Sequence, residues 1–81
     1  MTVGVQFWSY FASVTGTRCA EFEVPGGSVV GELLEAVYQR FPSLAPFRSS
    51  TLIAIHLDYA AEADLLPEGA QVSLFPPVQG G

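Results

Sequence analysis

A single helical stripe stands between stretches that alternate with a period of two, and that arrangement leaves the chain few ways to fold. Val30, Leu33, Leu34, Val37 and Phe41 recur at i, i+3, i+4, i+7 and i+11, with Glu32, Glu35, Gln39 and Arg40 on the other side. One amphipathic helix cannot bury its own apolar stripe, so it has to lie on something, and the flanking alternation supplies a sheet. Pro25-Gly26-Gly27 breaks the segment before it, and Ser28 is the expected N-cap. Gly31 should weaken the first turn slightly. Phe41-Pro42 should end the helix, because proline drives its predecessor out of the α region.

Residues 3–12, VGVQFWSYFA, read as a strand with Val3, Val5 and Phe7 on one face and Gln6, Trp8 and Tyr10 on the other. Residues 14–17 carry a turn signal. Cys19 to Val24 then reads as a half-buried strand, with Glu21 and Glu23 opposite Phe22 and Val24, closing a first hairpin. After a loop over 43–50, residues 51–57 alternate again. They place Ile53, Ile55 and Leu57 inward and Ala54, His56 and Asp58 outward. A short strand is expected near 59–61. Leu66-Pro67-Glu68-Gly69 is a turn, and Gln71 to Phe75 is the last strand, with Val72 and Leu74 toward the core. The order β-β-α-β-(β)-β predicts an α+β domain of the β-grasp, ubiquitin-like kind. It has a mixed sheet of four to five strands with one main helix packed on one face. Residues 1–75 make the domain, and 76–81 a flexible C-terminal tail ending in Gly-Gly.

Eighty-one residues make one small domain. Such a domain buries enough surface for one core but leaves little room for an internal ligand cavity of ~300 Å³. With 49% hydrophobic and 14% charged residues, disorder is excluded. No apolar run approaches the ~18 residues of a membrane span, and MTVGVQFW lacks the basic start of a signal peptide. Both point to a cytoplasmic protein with no membrane partner. The net charge is −5, with eight acids against three arginines and no lysine. Such a chain cannot neutralise phosphates well, so nucleic acid is a poor partner and a protein with a basic docking face a better one.

Little conventional chemistry can be assembled. Cys19 is alone, which rules out an internal disulfide or a four-ligand zinc site. With only Arg18 beside it, it is expected as a small, semi-buried residue at a strand start. His56 is the only histidine and is expected as a solvated or interface residue beside Asp58, not a general base. Asp58 and Glu62 form no spaced metal set, and Gly26-Gly27-Ser28 lacks the lysine of a phosphate loop. No metal and no bound cofactor are expected. The aromatics say more. Trp8, Tyr10 and Phe75 fall on the sheet face away from the helix, with Tyr59 at its edge, and an exposed apolar patch marks a partner interface.

The ending Phe75-Pro76-Pro77-Val78-Gln79-Gly80-Gly81 is unusual for a chain end. Pro76 and Pro77 cannot continue a ladder and favour an extended form, which lowers the entropy lost on capture. Val78 offers one apolar handle. Gly80 and Gly81 can enter a passage too narrow for a Cβ. Six residues at ~3.3 Å each reach about 20 Å, comparable to the depth of a partner's active-site channel. An α-carboxyl titrates near ~3.5 and is ionised at neutral pH, a poor electrophile. As a mixed anhydride with AMP it becomes open to attack by sulfur or an amine.

This ending resembles that of the small, sulfur-carrier subunit of molybdopterin synthase, of the ubiquitin-like sulfur-carrier superfamily. The lead-in Glu68-Gly69-Ala70-Gln71-Val72-Ser73-Leu74-Phe75, the Phe7-Trp8 pair and the helix opening Val29-Val30-Gly31-Glu32-Leu33-Leu34 are similar to the family's too. The chain departs from the family at Ser13-Val14, where a charged pair is common, and at His56, where asparagine is usual. The resemblance implies that Gly81 is adenylated by an ATP-dependent activating enzyme and then thiocarboxylated, so that ATP is consumed by that enzyme and not bound here. It further implies that the tail, Phe75 to Gly80, enters a channel of the large synthase subunit in a heterotetramer. Trp8, Tyr10 and Tyr59 would meet that partner. The catalytic pocket would belong to the large subunit, which leaves open whether this chain is itself an enzyme. Two further readings stand beside it. One is a thiamine-type sulfur carrier or ubiquitin-like protein modifier, and the other a binding module with an inert tail.

Overall fold

The computed structural model describes residues 1–77. The order of elements is β1 (Thr2–Phe7), α1 (Tyr10–Thr15), β2 (Cys19–Glu23), α2 (Val30–Arg40), a 3-10 helix (Pro42–Ser50), β3 (Leu52–Ile55), β4 (Asp58–Ala60) and β5 (Gln71–Phe75). The five strands form one sheet in the order β2-β1-β5-β3-β4, with β1 and β5 parallel and the other pairs antiparallel. Helix α2 covers one face. Its residues Val30, Leu33, Leu34 and Val37 are fully buried together with Val3, Val5, Val72 and Leu74 of the central strands. This is the expected β-grasp architecture, and β5 spans the expected residues.

The first expected strand is shorter than its composition suggests. β1 stops at Phe7, and the Trp8 N–H makes the junction's bond to Leu74 O at 3.1 Å. Ser9 then takes a positive φ of 55°, an uncommon state for a residue with a Cβ, and the chain turns into α1. The gain is that Phe11 is driven into the core at 1% exposure. Gly16, left-handed at φ 79°, closes α1 as a C-cap glycine and not as a hairpin turn. β1 and β2 are therefore antiparallel neighbours joined through a short helix.

Three other expectations change. The N-cap of α2 is Val29, not Ser28, whose buried hydroxyl instead donates to Pro25 O at 2.6 Å. The helix's free N–H groups find other acceptors. Val29 donates to the Glu32 carboxylate, while Val30 and Gly31 donate to Asp64 O and Glu62 O at 2.9 Å each. Residues 43–50 are not a plain loop but most of the 3-10 helix, which buries Leu44. β3 ends at Ile55, because His56 (φ 55°) and Leu57 form the turn to β4. Leu57 is thus 99% exposed instead of inward. Ala54, although on the outer face, is buried between its register neighbours Tyr59 and Ser73.

Two arginines fasten the helical layer to its surroundings. Arg48 donates to both carboxylate oxygens of Glu62, at 3.2 and 2.7 Å, and to Glu35 at 2.6 Å. These bonds hold the Glu62 carboxyl below its ordinary value, and they raise the Arg48 guanidinium further. Arg40 lies 4.0 Å over the Phe22 ring and donates to Glu21 O, tying the end of α2 to β2. Inside this layer the Tyr38 hydroxyl is the one buried side-chain polar atom without a hydrogen-bond partner among the described residues.

Candidate functional site

Because β1 and β5 run parallel, both finish at the same end of the sheet. Trp8 follows β1 and Phe75 closes β5, and their rings stack with centroids 5.5 Å apart at 14°. The backbone N–H of Trp8, bonded to Leu74 O, fixes the main chain where it leaves the sheet, and the indole is placed by its stack on Phe75. On its other side, Phe75 stands in register with Leu52 of β3. Pro76 and Pro77 follow, half-buried, and with Ser9, Tyr10, Leu52, Tyr59 and Phe75 they line an open groove of about 440 Å³. Tyr10 belongs to α1 and not to a strand, yet it borders the same groove, its ring edge-on to Phe11 and Phe47. A smaller hollow of about 240 Å³ continues past Ala54 and Tyr59 to the His56-Leu57 turn.

The sequence-expected surface residues Trp8, Tyr10, Tyr59 and Phe75 therefore lie around the root of the tail. Leu52, at 38% exposure, belongs with them and was not singled out. Its signal was its parity, since it sits two residues before Ala54 on the outer side of β3. The expected tail positions Val78, Gln79, Gly80 and Gly81 lie outside the described residues.

The remaining candidates do not converge. Cys19 is at the start of β2 as expected but is exposed, because β2 is an edge strand and its outer face carries no covering layer. His56 is exposed at the β3–β4 turn. Among the described residues, no group of three His, Cys, Asp or Glu could hold a metal ion, and no helix is long and apolar enough to cross a membrane. The grooves are open at the surface. This geometry suits holding a protein segment better than enclosing a small molecule.

A mixed β2-β1-β5-β3-β4 sheet under one main helix defines a ubiquitin-like β-grasp domain, here with an aromatic ledge at the root of a Pro-Pro tail. Within that class, the chain belongs to the ThiS family, whose model matches residues 5–81. It is 28% identical over 82 residues to the human molybdopterin synthase sulfur carrier subunit, covering 98% of this chain and 93% of the relative. Among solved structures, SAMP1 (small archaeal modifier protein 1) of Haloferax volcanii superposes with a TM-score of 0.89 at 25% identity, over the whole of both chains. The complex of subunits 1 and 2 of the molybdopterin-converting factor of Helicobacter pylori contains a chain that matches with a TM-score of 0.70 at 24% identity. That match also covers both chains fully, and it is a likeness of fold.

Proposed function

We propose that this chain is the sulfur carrier of a two-subunit molybdopterin synthase, with the Gly81 carboxylate as its working group. The observation that carries this reading is the stiff exit Phe75-Pro76-Pro77, pinned by the Trp8 stack, leading toward Gly80-Gly81. The family match through residue 81 and the sulfur-carrier name of the human relative support it. In this reading an activating enzyme transfers AMP from ATP to the carboxylate and pyrophosphate leaves. Hydrosulfide then attacks the acyl carbon and AMP departs to leave a thiocarboxylate. Where a persulfide attacks instead, a second thiol breaks the resulting acyl disulfide, releasing the thiocarboxylate and forming a disulfide on the donor. The tail delivers that sulfur inside a large subunit that docks on Trp8, Tyr10, Tyr59 and Phe75. That the human relative is named a subunit supports such a partner.

The chain carries no lysine, so an activated Gly81 meets no ε-amine within its own sequence. That suits a donor whose acyl group is meant for sulfur. The likeness to SAMP1 favours a second reading, a protein modifier whose Gly81 ends in an isopeptide bond. Intact mass after incubation with ATP, the activating enzyme and a sulfur donor separates the two. The carrier gains the mass difference of one oxygen replaced by sulfur, whereas a modifier builds adducts on the lysines of other proteins. An unchanged mass would leave the tail inert and overturn both.

A further inference from the structure

Two of the three arginines are committed within the fold, Arg40 to Phe22 and Glu21 O, and Arg48 to Glu35 and Glu62. The Met1 ammonium is also engaged, donating to Val24 O at 2.6 Å. Arg18 alone makes no side-chain hydrogen bond or ion pair among the described residues, and it is exposed. Its backbone is nevertheless fixed, because the Phe7 N–H donates to Arg18 O at 2.7 Å at the head of the β1–β2 ladder. Arg18 and Trp8 line a half-open groove of about 490 Å³, together with Gln6, Phe7, Ser9 and Ala12. Trp8 is shared between this groove and the aromatic ledge, so a protein covering the ledge also roofs Arg18.

We propose that this groove receives an Asp or Glu side chain of the protein that grips the tail, and that Arg18 sets the register of that docking. The identity of the partner rests on the sulfur-carrier reading. A guanidinium offers a planar fork that fits one carboxylate bidentately, and the apolar face of Trp8 helps exclude water once the partner is seated. A phosphate group needs several cations, and a chain of net charge −5 with one open arginine repels such a dianion. The same charge draws in a basic face from a distance. Among the described residues Arg18 is then the one open point of inverted sign. Only the correct register brings an acid to it, and a slipped register sets base against base.

The sign of the mutational effect separates this local pair from bulk attraction. Replacing Arg18 makes the chain more acidic, so general attraction to a basic partner predicts tighter binding, whereas the pair predicts weaker binding. Affinity for the large synthase subunit encoded by the same genome is measured by surface plasmon resonance for wild type, Arg18→Gln, Arg18→Lys and Arg18→Glu. Circular dichroism melts establish that each variant is folded. Arg18→Gln should weaken binding about tenfold and Arg18→Glu about a hundredfold, mainly through faster dissociation. Arg18→Lys should recover part of the loss. One Asp→Lys or Glu→Lys change on the large subunit should restore binding to Arg18→Glu. Tight wild-type binding with Arg18→Glu within twofold of it, or tighter, overturns the groove proposal and leaves the carrier reading intact. No binding by wild type itself overturns both.

Discussion

On the face under α2, Val3, Val5, Val72 and Leu74 are sealed to 1% exposure or less, whereas on the outer side of the sheet Trp8 stays 45% and Tyr59 80% exposed. The two sides belong to one sheet, so membership of the sheet does not account for the difference. What differs is what lies above. The inner residues meet a helix whose stripe matches their spacing, and their burial stabilises the domain. On the outer side Trp8 and Phe75 stack on each other and Tyr59 stands open, around the point where the tail departs. The inner face answers to folding, and the outer face is the one proposed to meet a partner.

The sharpest way to test that division is to damage each face separately. Leu34→Ala, at a fully buried position of α2, should cost ~2–5 kcal/mol, a large share of the ~5–15 kcal/mol typical of a domain. A urea titration reads this as a much lower midpoint, while the folded fraction should still bind the large subunit. Phe75→Ala should do the reverse. It removes a stack of ~0.5–1.5 kcal/mol, so the domain should still fold, yet affinity for the large subunit should fall by ~2 kcal/mol or more. Unchanged affinity in a folded Phe75→Ala variant would move the docking surface elsewhere.

Two smaller changes probe the helical layer, where no effect on docking is expected. Tyr38→Phe deletes the buried hydroxyl that lacks a partner, and should leave stability equal or raise it by ~1 kcal/mol. A clear loss would mean that the hydroxyl is satisfied, by the Thr51 side chain or by water. Glu62→Gln loosens a partly exposed pair and should cost less than ~1 kcal/mol near neutral pH. Because Arg48 depresses the Glu62 carboxyl, its contribution is fully present above the ordinary carboxylate range and is lost as pH falls through the lowered value. Thermal melts of wild type and Glu62→Gln should therefore converge on the acid side, where the difference between them vanishes.

The elements legible in the sequence were those whose periodicity was reinforced by tertiary burial. Helix α2 and β5 matched because every apolar position in their patterns found a partner across the core. Residues 8–12 misled because aromatic composition favours a strand, while the outcome was decided by Ser9 accepting a positive φ and by Phe11 filling the space beside Phe47. Leu57 looked like a third inward residue, but the two-residue turn at His56-Leu57 cut the strand short. At the candidate site, parity alone put Trp8 and Phe75 on one side. Their stacking followed from the parallel β1–β5 pairing, a long-range feature of the topology. The Arg48 clamp and the open state of Arg18 were not legible, since both depend on which distant side chains fold against them.

The central claim is that the fold exists to present one carboxylate at a fixed reach, and deleting Gly81 tests it most directly. The truncated chain keeps a carboxylate, now on Gly80, but withdraws it by ~3.5 Å. A misplacement of ~1 Å can already cost about 100-fold where reacting atoms must align. Intact mass is followed for wild type and the Gly81 deletion with ATP, activating enzyme and sulfur donor, alongside circular dichroism. The account predicts two equally folded proteins of which only wild type exchanges oxygen for sulfur. Thiocarboxylate forming on the deletion variant at a near wild-type rate would contradict it.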